Sequence, residues 1–219
     1  GSLGGTYLVP LPVMAPIKLY GSPKNRGLRP LWMAQELGLE VEAVTVPSRP
    51  GEGLWPDGPA EKKAEFERAL NPNTKVPVMV DGNFVLWESM AINLYLAKKH
   101  GGPLAPKDAE EEALMMQWSF WAMSEVEKDA LQLIFGAMRK QDTAAQAAAL
   151  QRPMAALERA LTGREYLVGG RFTAADLNVA SVVSWAQGGK FDFAPYPGVA
   201  AWLQRCMGRP ALNVARAKL

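Results

Sequence analysis

"NPNTKVPVMVDGNFVLWESMAI" (residues 71–92) decides the fold. Val76 to Val80 and Phe84 to Trp87 are short apolar runs separated by Asp81, Gly82 and Asn83, a turn composition that joins two antiparallel strands. A helix is predicted at once, with Ser89 as N-cap, running to the basic end Lys98, Lys99 and His100. Pro77 follows a Val at the entrance to a buried strand. Proline tolerates the cis peptide form cheaply there, and a cis bond would turn the backbone of Val76 outward.

Upstream, "IKLY" (17–20) alternates as a strand. "LRPLWMAQELG" (28–38) carries helical spacing at Leu28, Leu31, Trp32 and Gln35. "VEAVTVP" (41–47) alternates again, so a βαβ unit with parallel strands and a right-handed crossover is expected. The Pro- and Gly-rich segment 48–59 is long for a connection and precedes a charged helix over 60–70. The order βαβαββα spans residues 17–100.

Downstream, "GGPLAP" (101–106) reads as a linker, and only helical patterns follow over 107–219. One long amphipathic helix is predicted over 111–138 and another over 143–163, bent at Pro153. The next, 172–185, has Thr173 as N-cap and Asp176 three residues on, the pattern of a capping box, with Phe172 and Leu177 as its hydrophobic staple. A last helix, 197–207, is expected to end before Pro210. The fold class is thus an α/β N-terminal domain followed by an all-α domain.

With 24 basic and 22 acidic residues the net charge is +2, too weak a field to argue for nucleic acid. The single Cys206 rules out an internal disulfide, and with only His100 beside it no four-ligand Cys/His zinc site can form. A reducing, cytoplasmic location fits this cysteine usage. Residues 1–16 read as a tag and linker with Met14 a plausible start, and no stretch is apolar enough for a membrane span.

Four local sequences then give a resemblance: "YGSPKNRG" (20–27), "NPNTKVPVMVDG" (71–82), "WESMAI" (87–92) and "FTAADL" (172–177). In this order, over residues 17 to about 205, the chain resembles the cytosolic glutathione transferases, a thioredoxin-like domain joined to a helical bundle. It is similar in particular to bacterial-type members with a serine or asparagine in the first turn. The resemblance implies glutathione as co-substrate, no metal, a hydrophobic electrophile as second substrate and a homodimer.

It also assigns roles. Pro77 takes the place of the family's cis-proline, and the backbone of Val76 would clamp the peptide as an added strand does. Glu88 and Ser89, at the start of a helix, suit the ammonium and carboxylate of the γ-glutamyl end. Lys75 is a candidate for a glutathione carboxylate, although a solvated turn lysine explains it equally.

The first turn would carry the chemistry. A thiol of pKa ~8.5 is only ~3% ionised at pH 7, and a pKa of about 6.5 would make it ~75% thiolate. One hydroxyl hydrogen bond to the anion contributes ~1.5 to 3 kcal/mol and a helix N-terminus roughly 0.3 to 1. Ser22 and Asn25 are the candidate donors, with Ser22 preferred. Tyr20 is expected to pack within its strand, and no Cys stands in the turn to form a mixed disulfide. In the helical domain Met115, Trp118, Ser119 and Ala122 share a face that would line the second-substrate pocket. Trp55 is a candidate lid residue. Disulfide reduction, dehalogenation and isomerisation on the same thiolate are rival activities, and a non-enzymatic binding module of the same fold is the rival outside catalysis.

Overall fold

Alternation at Ile17, Leu19 and Gly21 buries one side of the first strand, β1 (Ile17–Gly21), and this strand is the spine of the N-terminal domain. The computed structural model describes residues 16–49 and 52–218. The tag and linker expected over 1–16 lies almost wholly outside them. Helix α1 (Leu28–Glu36) and strand β2 (Val41–Thr45) complete the predicted βαβ unit, with β2 parallel to β1.

Helix α2 (Ala60–Ala69), strands β5 (Val78–Asp81) and β6 (Phe84–Trp87) and helix α3 (Ser89–His100) follow. The sheet order is β2-β1-β5-β6, with β5 antiparallel to both its neighbours. The segment expected to be only a loop holds a two-residue ladder, β3 (Ser48–Arg49) with β4 (Gly53–Leu54). So short a ladder leaves no periodicity to read.

Side chains of β1 and β5 divide between two cores, as the pleat requires. Leu19 and Met79 join Leu31, Ile92 and Leu96 of α1 and α3 in a core that continues into the helical domain. Val78, Val46, Leu54 and Phe66 form a smaller cluster against which Tyr20 and Trp55 pack. Tyr20 and Trp55 both meet Phe66 edge-on, at 6.2 and 5.3 Å. Tyr20 packs as expected, and the Trp55 ring is anchored on a core cluster.

The helical domain opens with α4 (Ala109–Trp121), capped by Asp108, which accepts from the Glu111 N–H at 2.8 Å. The predicted long helix is continuous to Arg139, but residues Ala122–Val126 form a π-helical turn before α5 (Glu127–Arg139). A wider turn of this kind often marks a functional position. Helices α6 (Ala144–Ala160), α7 (Ala174–Gly188) and α8 (Pro197–Met207) come next. Residues 210–216 add α9 (Pro210–Arg216), where the sequence predicted none. Pro210 starts this helix at N1, where its missing N–H costs nothing.

The capping box at α7 is present, with Asp176 buried and accepting from the N–H groups of Thr173 and Leu167 and from Trp202 Nε1. Ion pairs tie the domains and the linker. Arg209, the N-cap residue of α9, donates to Glu36 of α1 at 2.6 and 2.7 Å, and Trp32 Nε1 reaches the same carboxylate. Arg171 holds the linker through the carbonyls of Pro103 and Ala105 and pairs with Glu111 at 2.6 and 2.9 Å.

The Arg171 hydrogen bond holds the Glu111 carboxyl well below its ordinary 4.5, at about 2. A depressed carboxylate pKa stabilises the fold above the unfolded value and loses that contribution as pH falls through the folded one. The stability advantage of the wild type over Glu111→Gln should therefore be full at neutral pH and shrink between pH 4.5 and 2. Urea unfolding of both proteins at pH 7 and pH 3 checks this; a constant difference would refute it.

Candidate functional site

The strand β1 ends in the turn Ser22-Pro23-Lys24-Asn25, closed by the Asn25 N–H donating to the Ser22 carbonyl at 3.1 Å. Pro at its second position pre-sets the backbone for such a turn. The Ser22 Oγ accepts from the Lys24 N–H at 3.1 Å. That contact uses an oxygen lone pair and leaves the hydroxyl proton free to be donated.

Asn25 is turned the other way. Its Oδ1 accepts from the N–H groups of Gly27 and Ser22, at 2.8 and 3.2 Å. Two backbone donors on one atom assign that atom as oxygen. The amide Nδ2 points to Ser48 Oγ at 3.5 Å, a contact too long to hold it firmly. Asn25 thus frames the turn with its oxygen and keeps its amide hydrogens nearly free.

The sheet register gathers the other expected residues. Tyr20 pairs with Val78, and Val78 with Trp87. Carried two residues beyond those last pairs, the ladders place Ser22, Val76 and Ser89 at one end of the three strands. The Val76–Pro77 peptide is cis, and Val76 stands two residues before Val78, the first paired residue of β5. Lys75 is exposed, while its carbonyl accepts from Asn71 Nδ2 at 2.9 Å.

Glu88 and Ser89 depart from the expected cap. Glu88, not Ser89, is the N-cap of α3, and it makes no side-chain cap bond. Its φ of 74° is a left-handed conformation that costs a non-glycine residue ~1–3 kcal/mol and tends to collect at functional sites. Ser89 is the first helical residue, buried at 3% exposure, and its Oγ accepts from Arg29 Nη1 at 3.1 Å.

That contact opens onto a cluster the sequence reading missed. Arg29 of α1, 2% exposed, lies 2.9 Å from Glu127 Oε2 of α5. Arg26, in the first turn, donates to the other oxygen of the same carboxylate at 2.6 Å. The two guanidinium groups lie 5.4 and 4.7 Å from the centre of the Trp185 ring of α7, close enough for cation–π attraction.

Burial pushes the Arg29 pKa down, and Glu127 beside it opposes the shift. Its Nε and Nη2 have no hydrogen-bond partner among the described residues, and the 2.9 Å approach of Glu127 Oε2 is an ion pair without hydrogen-bond alignment. Such a pair is retained at a desolvation cost, and removing one partner strands a buried charge at ~3–5 kcal/mol. The readable signals were Arg29 inside the apolar run "LRPLWMA" and Glu127 three residues before the core residue Ala130.

The expected pocket wall on α4 is largely core. Met115, Ser119 and Ala122 are buried at 1% exposure or less. Ser119 Oγ donates to the Met115 carbonyl at 2.7 Å and accepts from Asn178 Nδ2 at 2.9 Å. Asn178 of α7 thus covers Ser119, while Met115 stands at the wall of a cavity between α3 and α4, beside Leu94 and Tyr95. Trp118 alone of the four is partly exposed, edge-on to Trp121 at 5.2 Å. Burial pushes the Cys206 thiol far up, as for a core residue. Among the described residues no three His, Cys, Asp or Glu side chains are grouped to hold a metal ion, and no helix is long and apolar enough to cross a membrane.

Family models described as "Glutathione S-transferase, N-terminal domain" and "Glutathione S-transferase, C-terminal domain" match residues 15–98 and 112–210. Glutathione S-transferase D7 of Drosophila melanogaster is 32% identical over 198 residues, covering 87% of this chain and 84% of the relative. Glutathione S-transferase 3 of Zea mays is 33% identical over 216 residues, covering 91% and 93%. The chain belongs to the glutathione S-transferase family. Among solved structures, a glutathione S-transferase from Pseudomonas fluorescens superposes with a TM-score of 0.76 at 26% identity, covering 90% of this chain and 97% of the other.

In this transferase-family chain the first turn is packed backbone against backbone. A Cβ on Gly27 would lie 2.5 Å from the Ser22 nitrogen and 2.9 Å from Asn25 Oδ1, so a methyl group there must displace the turn itself. Gly27→Ala is expected to lower stability by ~1–3 kcal/mol, measured by urea unfolding. An unchanged midpoint would show that the turn has slack that these contacts do not suggest.

Proposed function

We propose that the protein is a glutathione transferase of the serine/asparagine type, adding the glutathione thiolate to a hydrophobic electrophile. The observation that carries this reading is Ser22, whose oxygen is already engaged by the Lys24 N–H and whose proton is free. A thiolate at this end of the sheet would accept that proton as a hydrogen bond, and the positive N-terminus of α1 lies next to it. Asn25 holds the turn and offers its amide as an auxiliary donor. Val76 would pair with the peptide backbone of glutathione, with Glu88 and Ser89 at its γ-glutamyl end and Lys75 toward its other carboxylate. Trp118 is the member of the expected pocket with surface to offer the second substrate.

The reading divides into two measurements. Isothermal titration should detect glutathione binding; no binding at millimolar glutathione would leave the non-enzymatic reading standing. For the thiolate, Ser22→Ala should raise the pKa of the bound thiol by about 1 to 2 units, the loss of one charge-assisted hydrogen bond. The absorbance of the thiolate followed against pH reads this directly. A pKa unmoved in Ser22→Ala and raised in Asn25→Ala would transfer the role to Asn25.

A homodimer is part of the proposal. Phe84, Trp87, Leu114, Met116 and Phe120 are large apolar side chains at 36–66% exposure on β6 and α4. Phe84 packs on Tyr95 at 5.0 Å, and Tyr95 and Met116 border one cavity of about 180 Å³ between α3 and α4. Exposed apolar surface of this extent is characteristic of an interface. Phe120, the most exposed of the five, is the sharpest probe. Phe120→Asp should shift sedimentation from dimer toward monomer; a dimer of unchanged affinity would exclude this face.

A further inference from the structure

Glu127 is a side chain of the helical domain, yet it touches both halves of the proposed glutathione site. One oxygen holds Arg26, the neighbour of Asn25 in the first turn. The other lies against Arg29, which donates to Ser89. We infer that Arg29, held by Glu127, is a positioning residue for the γ-glutamyl end of glutathione, acting by orienting the Ser89 hydroxyl. This rests on the glutathione reading above.

The orientation follows from hydrogen-bond chemistry. A hydroxyl carries one proton and two lone pairs, and a guanidinium can only donate. Arg29 Nη1 at 3.1 Å therefore occupies a lone pair of Ser89 Oγ and turns its proton away from the cluster. Without that donor a serine at the first position of a helix is free to rotate. With it, the proton faces outward beside the free N–H groups of the first turn of α3, where a carboxylate would be received.

The arrangement is built rather than incidental. Arg29 is buried, stacked on Trp185 at 4.7 Å and within 3.8 Å of Met123 Sδ in the π-helical turn. Its buried Nε and Nη2 have no hydrogen-bond partner among the described residues. Packing for stability alone would favour an apolar residue at such a position. The side chain that meets Ser89 is thus held on one side by Glu127 and on another by the Trp185 ring.

The test uses the full chain and three ligands: glutathione, γ-glutamylcysteine and cysteinylglycine, the last lacking the γ-glutamyl group. Arg29→Lys keeps the charge but removes the planar guanidinium whose Nη1 meets both Ser89 and Glu127. It is expected to weaken glutathione and γ-glutamylcysteine about tenfold and cysteinylglycine not at all. The bound thiol should keep its pKa, and KM for glutathione should rise with kcat little changed. Combined with Ser89→Ala, it should add nothing to the loss from Ser89→Ala alone.

Equal losses for all three ligands, losses that multiply in the double variant, or unchanged affinity would each overturn the inference. Should Arg29→Lys fail to fold, Glu127→Gln, which leaves the arginine in place without its counter-charge, is read by the same ligand comparison. A wild type that binds no glutathione would refute the transferase proposal and this inference together. A wild type that binds it, with both variants unaffected, would refute this inference alone.

Discussion

A single buried carboxylate organises the meeting of the two domains. Glu127 faces two arginines of the N-terminal domain and is 4% exposed. Neither Arg29 nor Glu127 would be tolerated at that depth alone, since an isolated ion loses its hydration with nothing in exchange. Each therefore requires the other domain to be in place. An apolar interface could be satisfied by several slightly shifted packings, whereas charges held this closely are satisfied by few. The position of the helical domain is thereby fixed against the strand ends where Ser22, Val76 and Ser89 converge.

The chain's local elements were largely legible because their signals are local. Alternation gave β1 and β2, the Asp81-Gly82-Asn83 turn gave the hairpin of β5 and β6, and Thr173 with Asp176 gave the start of α7, each within about a residue or two. Proline was ambiguous: the same residue type stops one helix and starts another, and Pro210 begins α9. The π-helical turn had no compositional sign, because a five-residue step in hydrogen bonding uses the same residue types as a four-residue one.

The candidate site was legible to the extent that its residues lie in short motifs. Ser22, Asn25, Val76, Glu88 and Ser89 share one end of the sheet. What failed was the prediction of what covers what. Met115, Ser119 and Ala122 have the right spacing for one face, but only the fold shows them buried, with Asn178 of α7 bonded to Ser119 and Met115 at the wall of the cavity shared with α3. Likewise Arg26, Arg29, Glu127 and Trp185 are spread over some 160 positions, and no spacing rule joins them.

The orientation of Asn25 separates the shape of the first turn from its sign. The atom that frames the turn is an oxygen receiving two backbone N–H groups, and an aspartate could supply the same oxygen in the same place. Near the start of a helix a carboxylate would ordinarily be the better choice for stability, because it answers the positive end of the helix dipole. The uncharged amide builds the same loop and leaves that positive potential unspent. A fold selected for rigidity alone would have neutralised it; here the helix keeps an open electrostatic demand, available to whatever anion is placed before it.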